Sequence, residues 1–353
     1  MTSFLVASIF LLGLSSLATA ANFTQVFQWN EFDYEWPSEA SRAQALEDGT
    51  YRPENFAPRF MAVYGSRIFL SFEKYKGVPV NLVSLPTSSA SSASPKLTPF
   101  PSWDLHEWGN CSKMEWSLGL QVDSVGRLWV LDICSQYCTL PKLWIFNLNT
   151  NETELFYRFS HRYSIHDLVI DETPNGTFAY IAQFKTHHIV VFSLERNEAW
   201  TVDTPGINPC SIALSPKKET RQLYLGNWRF KTLHSISVAA LRNGTRAAEP
   251  RLIENWAAIN PYRMLMDNHG TLYTAFMWKN YTSTWNTSRP FLEQSFYQVS
   301  GLKSSWPFTF SLDQSGTFWM TAFDDENMPR FRLLKAAVGA KSYIYEDSPE
   351  SRE

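Results

Sequence analysis

The chain has few of the signatures that announce enzymatic chemistry. It contains no G-x-S-x-G turn to expose a nucleophilic serine and no H-E-x-x-H pair to hold a catalytic zinc. His187-His188 and His161…His166 are the only close histidine pairs, and neither has the cysteine or carboxylate spacing of a zinc site. Charge of one sign is also lacking. With 31 Lys and Arg against 34 Asp and Glu the net charge is −3, and no basic stripe offers a footprint for nucleic acid. Beyond Leu17 no run is long and apolar enough to cross a bilayer as a helix. Cysteine is scarce, at Cys111, Cys134, Cys138 and Cys210.

What is abundant is aromatic. Phe, Trp and Tyr make up 15% of the chain, which suits stacked sheets that bury wide, flat side chains. The N-terminus reads as a secretory signal over residues 1–20: Phe4 to Leu17 is apolar and Ala18-Thr19-Ala20 is a small-residue cleavage site, although Met1-Thr2-Ser3 lacks a basic residue. Seven N-x-S/T sequons, at Asn22, Asn110, Asn151, Asn175, Asn243, Asn280 and Asn286, agree with export and glycosylation. In an oxidising compartment four cysteines imply two disulfides, with three connectivities open.

One short design recurs six times. Asp123-Ser-Val-Gly126-Arg-Leu128-Trp129, Asp267-Asn-His-Gly270-Thr-Leu272-Tyr273 and Asp313-Gln-Ser-Gly316-Thr-Phe318-Trp319 nearly superimpose. Longer turns join Asp171 to Tyr180 and Ser215 to Tyr224, and a degenerate copy surrounds Gly65 and Phe69. The aromatics recur about every 44 to 60 residues, the period of propeller blades rather than helical solenoids. The expected fold is all-β, a six-bladed β-propeller over residues 21–335, with function in the central channel and its loops. Residues 336–353 read as a disordered polar tail. Lys142–Leu148 and Ile189–Leu194 read as outer strands, Ser38–Gly49 as a short helix or loop, and Thr87–Ser94 as a surface loop between blades one and two. Either Phe27–Trp36 or Phe331–Leu334 is expected to complete a sheet shared by the first and last blades.

Several motifs carry a resemblance. Pro101-Ser-Trp103, Cys111, Gly126-Arg-Leu-Trp-Val-Leu-Asp132 and Cys138-x-x-Pro141-Lys-Leu stand in an order similar to that of the yellow / major royal jelly protein family. So do Gly77-Val-Pro79, Ile212-Ala-Leu-Ser-Pro216 with Leu223-Tyr224, and Phe331-Arg-Leu-Leu334. The resemblance runs from Phe27 to Leu334. It implies a secreted six-bladed propeller with a Cys111–Cys138 disulfide, and with it a Cys134–Cys210 bridge at the channel mouth. It also implies a role in pigmentation, cuticle or secretion. Members resembling this chain include dopachrome-converting enzymes, nutritive jelly proteins and amine-binding salivary proteins. Two segments depart from the family pattern: Asp132-Ile-Cys134 replaces Asp-Thr-Gly, and Tyr180-Ile-Ala-Gln183 replaces Tyr-Ile-Ala-Asp.

Counting along the repeats places residues on the axis. Five positions before each Asp or its counterpart stand Leu118, His166, Cys210, Tyr262 and Phe308. Three beyond each aromatic stand Asp132, Gln183, Asn227, Phe276 and Ala322, and one further on Phe184, Trp228, Met277 and Phe323. Asp132, His166, Gln183 and Asn227 then form a polar side and Tyr262, Phe276, Phe308 and Phe323 an aromatic side, which suits a small amine or catechol-type ligand. The competing reading makes Asp132 a tie to backbone N–H groups and the aromatics blade packing. No cofactor or metal is expected, since one carboxylate with Gln183 and Asn227 is thin for calcium. An alternative function is dopachrome conversion, with His166 as general base and Arg229 or Lys185 holding the substrate carboxylate. A structural or nutritive role is the third.

Overall fold

The structure, a computed structural model, describes residues 21–90, 92–133, 138–217, 220–298, 308–324 and 328–345. The signal segment 1–20, Cys134 and residues 346–353 lie outside the described residues. The chain forms six four-stranded antiparallel sheets arranged as the blades of a propeller. From the axis outward, blade 1 is Pro58–Tyr64, Arg67–Phe72, Leu82–Pro86 and Thr98–Pro99; blade 2 is Ser117–Val122, Arg127–Asp132, Lys142–Asn147 and Thr153–Arg158. Blade 3 is Ile165–Thr173, Gly176–Gln183, His188–Ser193 and Glu198–Asp203; blade 4 is Pro209–Leu214, Gln222–Asn227, Thr232–Ser237 and Arg251–Asn255. Blade 5 is Pro261–Met266, Thr271–Phe276, Tyr281–Asn286 and Gln294–Gln298. Blade 6 takes Thr309–Leu312, Thr317–Phe323 and Phe331–Ala337 from the end of the chain, and Thr24–Trp29 from its beginning as the outermost strand. Both segments expected at the closure meet there.

The recurring motif has a local cause. Asp123 accepts from the Arg127 N–H at 2.8 Å and from Trp129 Nε1 at 2.9 Å. Asp313 repeats this with the N–H of Thr317 at 2.9 Å and Trp319 Nε1 at 2.9 Å; Asp267 does so with the N–H of Thr271 at 2.7 Å and the Tyr273 hydroxyl at 3.2 Å. One carboxylate thus satisfies the turn and the polar tip of a buried ring six residues on. The glycine between them takes φ of 83–86° in all three copies, a region that penalises any side chain. In blade 3 the longer turn keeps the bond, from the Tyr180 hydroxyl to Asp171 at 2.6 Å.

Several expectations shift. Glu39–Glu47 is a helix, started by a capping box in which Ser38 and Ser41 satisfy each other's backbone. The serine-rich run lies within blade 1, between its third and fourth strands, and packs on the first strand of the chain through Gln28 N–H to Ala93 O. Residues 336–345 are no free tail. Tyr343 and Ile344 are buried, the Tyr343 hydroxyl bonds both the N–H and the carbonyl of Ile170, and Lys341 pairs with Asn268. Composition had marked this segment as polar, but its two large side chains supply the burial that orders it.

Candidate functional site

Each innermost strand of blades 1 to 5 slips register once near its start. The slipped residues are Arg59, Leu118-Gly119, His166-Asp167, Cys210 and Tyr262. A bulge of this kind inserts an extra residue and re-aims its side chain. Here Arg59, Leu118, His166, Cys210 and Tyr262 all turn into one cavity on the axis, of about 190 Å³. A second tier comes from the residues just past the paired strand ends: Glu73, Ile133, Phe184, Trp228 and Met277. Trp116, on the segment leading into blade 2, completes the wall.

The polar chemistry sits at one side. Arg59 forms an ion pair with Glu73 and donates to the Tyr262 hydroxyl at 2.9 Å, all three side chains being largely buried. Burial raises the Glu73 pKa, with Arg59 opposing the rise. His166 Nδ1 lies 2.9 Å from the Cys210 carbonyl, which only accepts, so Nδ1 carries the proton. Its Nε2 is then a buried acceptor with no hydrogen-bond partner among the described residues. Burial, reinforced by Arg59 and Arg263, pushes the His166 pKa down to about 3, so the ring stays neutral. Trp116 Nε1 is likewise a buried donor without a partner. Tyr262, Phe60 and Phe184 surround the imidazole edge-on, with ring centres 4.5, 5.2 and 5.9 Å away, and Phe184 leads on to Trp228 at 5.9 Å.

Beneath this cavity the channel is closed. Arg263 from blade 5 reaches Asp167 of blade 3 at 2.9 Å and lies over the rings of Phe60 and Phe310. Between this layer and the C-terminal segment lies a void of about 10 Å³. No group of three or more His, Cys, Asp or Glu among the described residues is arranged to hold a metal ion.

Of the residues expected on the axis, His166 and Tyr262 line the cavity, as do Leu118, Cys210, Phe184, Trp228 and Met277. The expected ligand side chains Asp132, Gln183, Asn227 and Phe276 do not. Each is the strand-paired residue one position before a lining one, and a one-residue step along a strand points to the opposite face. Asp132 is instead buried among the N–H of Trp116 at 2.8 Å, Trp144 Nε1 at 3.1 Å and Lys142 Nζ at 3.0 Å. Asn227 caps the Asn208 N–H at 3.0 Å, Gln183 is buried beside a separate surface cavity, and Phe276 packs on Trp256. Phe308 packs on Tyr297 and Phe323 on Phe331. Arg229 and Lys185 do not line the cavity.

Counting along the repeats does not reach Arg59 and Glu73, because the first repeat has no Asp or counterpart to count from. A signal is present: Pro58, Pro209 and Pro261 each immediately precede a residue that lines the cavity. The Cys111–Cys138 disulfide forms. Cys210 is a buried free thiol, its pKa raised well above normal by burial, and Cys134, its expected partner, lies outside the described residues. Of the sequon residues Asn22, Asn151, Asn175 and Asn243 are exposed, while Asn110, Asn280 and Asn286 are half-buried.

Residues 117–212 match the family model described as major royal jelly protein. The chain is 24% identical over 355 residues to Protein yellow of Drosophila guanche, and 23% to that of Drosophila simulans. These matches cover 87% of this chain but 62% and 65% of those proteins, so the chain spans under two thirds of their length. In fold it is similar to a luciferin-regenerating enzyme, with a TM-score of 0.51 at 8% identity over 91% of this chain and 97% of that one. A chain of a nidogen/laminin complex gives 0.50 at 13% identity, covering 72% and 94%.

Proposed function

We propose that this chain, which belongs to the yellow / major royal jelly protein family, is a secreted propeller that binds a small aromatic amine or catechol-type ligand in the axial cavity. Its role would be in pigmentation, cuticle or secretion. The observation that carries the reading is the unpaired Nε2 of His166 inside an aromatic cage. A hydroxyl or N–H of the ligand donates to Nε2, and a ligand acceptor takes the Trp116 N–H. Satisfying a buried unpaired group is worth about 1–3 kcal/mol. The rings of Trp228, Phe184 and Tyr262 contact the ligand ring, and Glu73 faces its ammonium. At about 190 Å³ the space is smaller than the ~300–1,000 Å³ of drug-sized sites and favours a one- or two-ring ligand. The apolar N-terminus and the Cys111–Cys138 disulfide support export.

Dopachrome conversion is the less favoured reading. A general base works best with a pKa near the working pH, and His166 is pushed down to about 3. The test is calorimetric titration of the purified glycoprotein with dopamine and serotonin, with dopachrome absorbance followed in parallel. Saturable binding that His166→Leu weakens about tenfold, without dopachrome loss, supports the reading. Dopachrome turnover that His166→Ala abolishes replaces binding with catalysis. Absence of both signals removes the channel from the function.

A further inference from the structure

A second cavity, of about 560 Å³, lies beside the channel mouth. It exists because two consecutive residues diverge where strand Arg67–Phe72 ends. Glu73 turns into the channel, and Lys74 turns out into this second space. The loop that returns over it is shaped by Gly77, whose φ of +91° places its Cα against Arg52 with no room for a Cβ. Lys74 Nζ donates to the Val78 carbonyl at 3.1 Å and lies 5.2 Å from the ring centre of Trp108. No carboxylate of the described residues is within 4.0 Å of it. An ammonium has three donors, and one is used. Trp108 and Tyr75, which flank it, are 50% and 41% exposed. A cation held under an indole with no carboxylate in direct contact is an anchor for an anion with an apolar body.

We propose that this cavity is a ligand site for a small aromatic carboxylate, held by Lys74 through its carboxylate and by Trp108 and Tyr75 through its ring. The site does not depend on the ligand read for the channel. Burial lowers the Lys74 pKa to about 8, while Asp132 and Glu115 behind it oppose the shift. His106 on the same wall is pushed down to about 4 by burial and stays neutral; Asp48, Lys76 and Glu107 stand at the cavity's edge, Glu107 paired with Lys113. A carboxylate pairs with protonated Lys74, so binding is complete below pH 7 and fades as pH rises through 8.

The test is calorimetry with indole-3-acetate and its uncharged counterpart tryptophol. The acid should bind at least about tenfold more tightly at pH 7 and lose about tenfold per pH unit above 8. Lys74→Met, which keeps the aliphatic stem, should remove that preference and leave dopamine titration of the channel unchanged. Trp108→Ala should weaken both probes. Equal affinity for acid and alcohol, or indole-3-acetate binding unaltered from pH 7 to pH 10, overturns the proposal without any variant. Competition of indole-3-acetate by dopamine overturns it too, since it would place the acid in the channel.

Discussion

The two ends of the channel are built from the same six strands by opposite means. At the turn end the blades repeat one solution: an Asp closes the turn and bonds a buried ring, in near-identical form in blades 2, 5 and 6. The chain then covers that end with its own residues 338–345. At the other end the backbone also repeats, with a register slip in each of blades 1 to 5, but the side chain it presents never does. Arginine, leucine, histidine, cysteine and tyrosine occupy equivalent places. The turn end repeats one structural bond from blade to blade, and the bulge end varies the side chain on a repeated backbone, as a scaffold that hosts different sites does.

The sharpest test of that contrast is Asp171, at the turn end of blade 3. Its carboxylate is fully buried and bonds Arg221, Arg242 and the Tyr180 hydroxyl. Removing one member of such a cluster leaves the others uncompensated, at a cost of ~3–5 kcal/mol. Asp171→Ala is therefore expected to lose about 4 kcal/mol in urea unfolding. Cys210→Ala at the bulge end should lose less than about 2 kcal/mol. Equal losses would break the division between the ends.

A smaller effect is expected from deleting residues 338–353. Tyr343 and Ile344 are buried, and each large apolar side chain is worth ~1.5–3 kcal/mol as an upper estimate. A loss of about 3 kcal/mol follows. Channel binding of dopamine should survive within about threefold, because the Arg263–Asp167 layer separates the covered end from the cavity. Loss of dopamine binding in a folded deletion variant would show that the two ends are coupled.

How much of this was legible in the sequence depends on whether the chemistry is local. Asp123, Asp267 and Asp313 act on residues four and six positions away, so the motif is visible as a pattern and the blades follow from it. Counting back from Asp123, Asp171, Ser215 and Asp267 reaches Leu118, His166, Cys210 and Tyr262, because the slip falls near the same place in blades 2 to 5; the same count from Asp313 gives Phe308, in the blade without a slip, which does not line the cavity. Counting forward reached the right strand ends but named the ligand set one residue early, and alternation turned Asp132 from ligand to brace. The Glu73–Arg59 pair belongs to the degenerate first repeat, which has neither the Asp nor a counterpart such as Ser215 to count from. The ordering of residues 338–345 depends on Ile170, far away in the chain, and no local pattern encodes that contact.

The smallest effect separates the ends by pH. His166 has a folded pKa near 3, below its ordinary 6.5, so the unfolded chain binds a proton that the folded chain refuses. Stability is complete above pH 6.5 and is lost as pH falls toward 3, at about 1.4 kcal/mol per unit. His106, pushed down to about 4, contributes in the same direction. Comparing the protein with His166→Gln isolates the cavity's share, since the amide can still donate to the Cys210 carbonyl and does not titrate. Between pH 7 and pH 5 the variant should lose about 2 kcal/mol less than the parent. A parallel loss in both would mean that Nε2 is protonated or solvated in the folded state. The unpaired acceptor on which the binding reading rests would then not exist.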